Sequence, residues 1–435
     1  MMKQAALFAL SLCLMAGSSA FAQDRSQSRS MVASKGGIVA SESVLASQVG
    51  ASILEQGGNA IDAAVATNAM MGLIAPMNDG IGGDLFVIVY EASSGELTGL
   101  NASGWAPAKL TPEYLRGKGI NTMPRRGIDS VTVPGAVDGW DMLLTRFGNM
   151  SFSEVLAPAV AHAEEGFPVG EVVSIYWRDS VGVLRGDEPT AQTFLINGRA
   201  PGMGEIFRNP DLAWTYRQIA DHGRDAFYSG AVAQKIIATS QRLGGTMEMA
   251  DLAEFKSEWV DPISTDYRGW TVTELPPNGQ GIAALEMLNI MERFPVASYG
   301  HNSVRALHVM IEAKKLAYAD MIRYNADPNF SIIPVAGMNS KAYAETRADL
   351  IDIGAANCSV PAGLPPGTDR GTTYLSVVDA EGNMVSLIQS NFSSVGFGAG
   401  LAVEGAGFVL QTRGGLVTLN RSSPNVRASR KRPLH

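Results

Sequence analysis

Two stretches of the chain carry the clearest patterning. From Ala60 to Ala75 apolar residues run almost unbroken, interrupted only by Asp62, Thr67, Asn68 and Gly72. The run is too short and too polar to cross a bilayer. Its Ala and Met content predicts a helix buried in an α/β core. Tyr374 to Asp379 and Met384 to Gln389 are rich in β-branched and apolar residues and flank Glu381-Gly382-Asn383. That pattern predicts two strands joined by a tight turn. Leu85 to Tyr90 reads as a further strand, turning at Ser94-Gly95 into Glu96 to Asn101. Helical spacing covers Ser41 to Gln56, with Ser41 or Ser43 as N-cap and Gly57-Gly58 as the stop. It recurs over Asp138 to Phe147, Phe152 to Glu165 (capped by Ser151), Leu285 to Phe294 and Ser303 to Tyr324. Strands interleaved with helices predict the α/β class.

The ends of the chain read differently. Lys3, the apolar run Ala5 to Ala16 and Ala20-Phe21-Ala22 predict a signal peptide over residues 1–22, and so a periplasmic or secreted protein. Residues 23–35 are a polar Ser/Arg/Gln leader, expected to be disordered. Gly354 to Asp369 is rich in Pro and Gly and predicts a flexible, exposed connection. Of the two cysteines in the 435 residues, Cys13 falls in the signal peptide, leaving Cys358 without an intramolecular disulfide partner. Apolar residues make up 46% and charged residues 17%, which supports a sizeable buried core. A net charge of −8 argues against a nucleic-acid partner. The five histidines show no metal-ligand spacing, so no metal is expected. Gly80-Ile81-Gly82-Gly83 lacks the Lys-Ser/Thr of a phosphate loop and reads as a tight turn.

Candidate chemistry centres on Gly371-Thr372-Thr373-Tyr374-Leu375-Ser376-Val377-Val378-Asp379. As residues alone this is a β-rich segment. It resembles the cleavage-and-nucleophile motif of the γ-glutamyltranspeptidase family of N-terminal-nucleophile hydrolases. Further stretches resemble that family in the same order. They are Ser41 to Ser43 with Ala51 to Ala64, Gly80 to Phe86, Val133 to Val137, Gly223 to Tyr228, Pro276 to Gly281, and His308 to Tyr324. The resemblance implies a four-layer αββα sandwich with two central, mostly antiparallel sheets. It also implies cleavage of the Gly371–Thr372 bond by the protein itself, giving a large subunit (23–371) and the start of a small one (372–435). Once freed, the Thr372 α-amine has a reference pKa of roughly 7.7–8.0 and can take the proton of its own hydroxyl. The acyl group of a small amide substrate would pass to Thr372 Oγ1, then to water or an acceptor amine, with no cofactor.

The resemblance also assigns substrate contacts. Asn391 stands where the family places an Asn touching nucleophile and substrate, with Gln389 and Ser390 beside it. Two departures bear on the substrate. Ser103 occupies the position of the Arg that grips a γ-glutamyl α-carboxylate. Arg413 and Leu416 replace the acidic and amide groups that hold its α-amine. Arg413 suits a carboxylate, so the expected acyl group is glutaryl-like, as in the acylase-like branch. The chain stops at Lys431-Arg432-Pro433-Leu434-His435, where the family pattern continues. The expectation is therefore a sandwich incomplete at the C-terminus, with a non-catalytic remnant of the same fold as the alternative.

Overall fold

The computed structural model describes residues 31–358, 360, 373–392 and 396–435. Residues 36–435 form one compact unit and residues 1–35 another. The signal peptide, most of the polar leader, most of the Gly354 to Asp369 connection, and both Gly371 and Thr372 lie outside the described residues.

Strand β1 (Gly37–Ala40) leads through Ser41-Glu42-Ser43 into helix α1 (Val44–Glu55). Gly57, at φ 94°, ends that helix in a conformation that glycine adopts without strain. Helix α2 (Ala60–Ile74) begins at once because Asn59 and Asp62 cap it reciprocally. Asn59 Oδ1 accepts from the Ile61 and Asp62 N–H groups, and Asp62 Oδ2 accepts the Asn59 N–H. Every residue of α2 is buried, as the apolar run predicts. Strands β2 (Asp84–Glu91) and β3 (Glu96–Ala102) form the expected hairpin. Helices α3 (Ala136–Phe147) and α4 (Phe152–Glu165) come next, the second capped by Ser151 and Glu154. Beyond helix α5 (Pro210–His222) lie three short strands, β4 (Glu258–Val260), β5 (Ile263–Tyr267) and β6 (Trp270–Glu274). Helices α6 (Gly281–Met291), α7 (Val304–Tyr324) and α8 (Lys341–Ala348) precede strands β7 (Thr373–Asp379) and β8 (Met384–Ser390). The expected helix Leu285 to Phe294 is corrected to Gly281–Met291. Its first turn, Gly281-Ile282-Ala283-Ala284, opens on a residue that disfavours helix interiors, and the apolar spacing understates it.

The main sheet has six strands in the order β1-β7-β8-β2-β3-β4, antiparallel at every pairing. The β7–β8 hairpin is thus inserted between strands from the other end of the sequence. Leu375, Val377, Val385, Leu387, Leu85 and Val87 are buried on one face, in the same core cluster as α2. Each fully buried side chain of this kind contributes about 1.5–3 kcal/mol. Asp379, at the end of β7, accepts the Ala60 N–H at 3.1 Å and so ties the start of α2 to the strand. Of the expected second central sheet, the described residues show a two-stranded ribbon, β5–β6. No helix among the described residues is long and apolar enough to cross a membrane.

Helices α6, α7 and α8 share a buried acidic pair. Glu286 is fully buried and faces Asp320, which pairs with Arg347 at 2.8 Å. Burial, reinforced by Asp320, pushes the Glu286 carboxyl up to about 10. The folded chain therefore keeps a proton that the unfolded chain releases above the ordinary carboxylate range. Stability should fall as pH rises from that range toward about 10. Glu286→Gln is expected to be nearly neutral at pH 5 and stabilising at pH 9, read from urea midpoints. An unchanged pH dependence in the variant would contradict this.

Candidate active site

The connection from α2 to β2 carries two acids around a glycine turn, Asp79 and Asp84 flanking Gly80 to Gly83. Close packing explains the glycines. A Cβ on Gly82 would lie 1.9 Å from the Val409 carbonyl oxygen, and one on Gly83 would lie 2.5 Å from that of Ser390. The turn's carbonyls are satisfied from several directions. Gly80 O accepts Gln389 Nε2 at 3.0 Å, Gly82 O accepts the Gln411 N–H at 3.0 Å, and Gly83 O accepts the Gly135 N–H at 2.9 Å.

Asp79 lies beneath this turn, fully enclosed. Its Oδ1 accepts the Gly80 N–H at 2.7 Å, and its Oδ2 accepts Asn68 Nδ2 at 3.1 Å. Asn68 is held in turn by Trp140 Nε1, which donates to its Oδ1 at 2.8 Å. Burial holds the Asp79 carboxyl well above the usual carboxylate range. Asn391 packs on the same loop, donating from Nδ2 to Asp79 O at 2.7 Å and from its N–H to Asn78 O at 3.2 Å.

Three of the expected contact residues come together here. Gln389 sits directly opposite Thr373 in the β7–β8 register, Ser390 opposite Asp84 in the β8–β2 register, and Asn391 is next in the chain. Thr373 is the first residue of β7 and is fully buried. Thr373 Oγ1, Gln389 Oε1 and Asn391 Oδ1 are all buried, and none has a hydrogen bond of normal geometry among the described residues. A buried acceptor left unpaired costs about 1–3 kcal/mol, so three around one strand start mark a place that lacks a donor. Ser390 Oγ accepts the Phe392 N–H at 2.9 Å.

Arg413 takes its place in a neighbouring cluster built on Asp84. Asp84 Oδ1 accepts the Gly104 N–H at 2.6 Å and Gln411 Nε2 at 2.7 Å. Its Oδ2 faces His435 Nε2 at 2.8 Å and Arg413 Nε at 3.5 Å. The Arg413 guanidinium lies over the Phe392 ring, 4.4 Å from its centroid. Burial, with Arg413 beside it, lowers His435 to about 4, so the imidazole is neutral and donates to Asp84. Ser103 is fully buried in a separate polar knot. Its Oγ donates to Asn101 Oδ1 at 2.7 Å and accepts from Asn278 Nδ2 at 3.2 Å. Asp79, Asp84, Gln411 and Glu42 were not among the sequence-based candidates. Two acids bracketing a glycine turn in an otherwise apolar stretch are the signal that could have found the first two. Among the described residues no group of three or more His, Cys, Asp or Glu could hold a metal ion.

Known proteins with this arrangement decide the family. The family model for gamma-glutamyltranspeptidase matches residues 46–435. The chain is 38% identical over 400 residues to a glutathione hydrolase-like proenzyme, YwrD, of Bacillus subtilis, covering 92% of this chain and 74% of that one. The chain belongs to the γ-glutamyltranspeptidase family. Within the family, it is also 37% identical over 384 residues to the acylase ACY 1 proenzyme of a Pseudomonas species, covering 86% and 68% of the two chains. The solved cephalosporin acylase of Bacillus halodurans superposes with a TM-score of 0.86 at 41% identity, over 94% of this chain and 75% of that one. The fold is that of the γ-glutamyltranspeptidase-type N-terminal-nucleophile hydrolases, and the protein is a hydrolase of this family. Its relatives carry both the glutathione hydrolase and the acylase names, and both kinds are proenzymes.

Proposed function

We propose that this hydrolase is exported by way of its residue 1–22 signal peptide and cuts its own Gly371–Thr372 bond. The two products, residues 23–371 and 372–435, stay together. Thr372 then serves as nucleophile and its α-amine as base, forming an acyl-enzyme that water or an amine resolves. The observation that carries this reading is the group of donor-poor acceptors at the start of β7. Thr373 Oγ1, Gln389 Oε1 and Asn391 Oδ1 gather there, one residue from the proposed cut. A new α-ammonium brings three N–H donors. Cleavage would thus supply what these oxygens lack and hold the amine beside its own hydroxyl. An intact-mass spectrum of the purified, signal-free chain tests the proposal. Two fragments meeting at Gly371–Thr372 are expected, and a persistent single species would count against it.

For the acyl group we infer a terminal carboxylate without an α-amine, a glutaryl-like amide. Ser103 is committed to Asn101 and Asn278, and no Arg stands at that position. Arg413, steadied by Asp84 and Phe392, is the cation nearest the Gln389 to Asn391 segment in this reading. Removing its charge would strand Asp84, so the informative change is Arg413→Lys, which keeps the charge and loses the planar fork. One charge-assisted hydrogen bond is worth about 1.5–3 kcal/mol, or roughly 10- to 150-fold in binding. The expected result is a KM for a glutaryl anilide raised about tenfold or more, with a neutral acyl anilide unaffected. Equal losses on both substrates would remove Arg413 from the acyl site.

A further inference from the structure

In the uncut chain the nitrogen of residue 372 is an amide, which cannot accept a proton. The amine that serves turnover does not yet exist when the first bond breaks, so that step needs a different proton acceptor. We propose that Glu42 is that group, an assignment that rests on the reading that the chain cuts itself before Thr372.

Topology brings Glu42 to the right place. Strand β1 pairs with β7 as far as Ala40 opposite Ser376. The chain leaving β1 as Ser41-Glu42-Ser43 therefore runs on beside the first residues of β7. Ser41 Oγ donates to Ser43 O and meets Ser47 Oγ, each at 2.8 Å, which fixes this turn against α1. Glu42 Oε2 accepts Asn78 Nδ2 at 3.3 Å, and Asn78 O accepts the Asn391 N–H. The carboxyl also faces the Thr373 hydroxyl, next in sequence to the proposed nucleophile. Glu42 is thus joined through one residue to the Gln389 to Asn391 segment.

The chemistry of this position favours proton transfer over a structural ion pair. Among the described residues Glu42 pairs with no Lys or Arg, and its hydrogen-bond partner is a neutral amide. The titratable group facing it is another acid, Asp79. One flank of Glu42 is open to solvent. The screening of the other raises its affinity for a proton, and the Asn78 and Thr373 contacts partly offset that. A carboxylate with raised proton affinity is the better general base.

The step balances without any co-reactant but water. The Glu42 carboxylate takes the Thr372 hydroxyl proton as Oγ1 bonds to the Gly371 carbonyl carbon. Glu42 returns that proton to the departing nitrogen as the C–N bond breaks, leaving an ester and a free α-amine. One water hydrolyses the ester to the Gly371 carboxylate and the Thr372 hydroxyl.

Cleavage is followed by intact mass as the full chain is made by cell-free translation, across pH 4 to 8. The wild-type rate should fall as pH drops through the raised Glu42 range. Glu42→Gln should be slower by about 10²-fold or more and lose that acid limb. Glu42→Ala should recover at least tenfold in added formate, a small carboxylate that can stand in for the missing base. Glu42→Gln cutting as fast as wild type would overturn the assignment and leave the self-cleavage reading intact. A slow Glu42→Ala that formate does not rescue would also overturn it, reducing Glu42 to a structural part of the turn. A wild-type chain that stays whole would instead bring down the self-cleavage reading, and this inference with it.

Discussion

Thr372→Ala is expected to stay a single uncut polypeptide and to lose amide hydrolysis by roughly 10⁴-fold or more, the scale seen when a covalent nucleophile is removed. Both losses should come from the one substitution, because the same oxygen is assigned both attacks. The fold should be unaffected, since the core under β7 is built from Leu375 and Val377 and their neighbours. Circular dichroism and urea midpoints matching the unprocessed wild type would confirm that. Thr372→Ser separates the roles, because it keeps the hydroxyl and should still cut and turn over at reduced rate. A Thr372→Ala chain that still splits at residue 371 would show that another group makes the cut.

The second large effect concerns the glycine turn. Gly82→Ala would place a methyl group 1.9 Å from Val409 O and 2.9 Å from Val409 C, both backbone atoms that no side-chain rotation can move aside. Overpacking typically costs about 1–3 kcal/mol and occasionally more; a clash with backbone belongs at or above the upper end. The turn also presents Gly80 O to Gln389 and Gly82 O to Gln411. Shifting it should therefore slow processing as well as lower the urea midpoint. Gly117→Ala is the control. It lies in the short helix Pro112–Gly117 with nothing within 4 Å of its added Cβ, so it should be neutral or stabilising by up to about 1 kcal/mol. A Gly82→Ala protein as stable as the control would contradict the packing argument.

Local signals were legible in the sequence because they act over a few residues. Gly57-Gly58-Asn59 with Asp62 set the break between α1 and α2, and the β7–β8 turn is written in Glu381-Gly382-Asn383. The unbroken apolar run announced that α2 is buried on all sides. Gln389, Ser390 and Asn391 were legible as neighbours in sequence. The register adds that Gln389 faces Thr373. What sequence spacing could not reveal is long-range pairing. Asp84 and Arg413 meet from opposite ends of the chain. Arg413 alone gives no sign that a buried acid awaits it. Glu42 and Asp79 lie in connections whose local pattern says only turn. Their significance comes from the strand order that carries β1 and the glycine loop to the start of β7. The short strands β4 to β6 were missed because three to five residues hold too little alternation to stand out.

The strand order also sets the physical consequences of a cut before Thr372. Strands β7 and β8 would then belong to one polypeptide, while β1 on one side and β2 on the other belong to a second. The two products would share one hydrogen-bonded sheet, with the shorter threaded through the middle of the longer. Unfolding then separates two molecules instead of loosening one. The midpoint becomes dependent on protein concentration through mass action, and a diluted, denatured sample must find its partner again before any sheet can form. The uncut precursor would refold as one molecule at any dilution. The matured form would hold together chiefly through the slowness of its own unfolding.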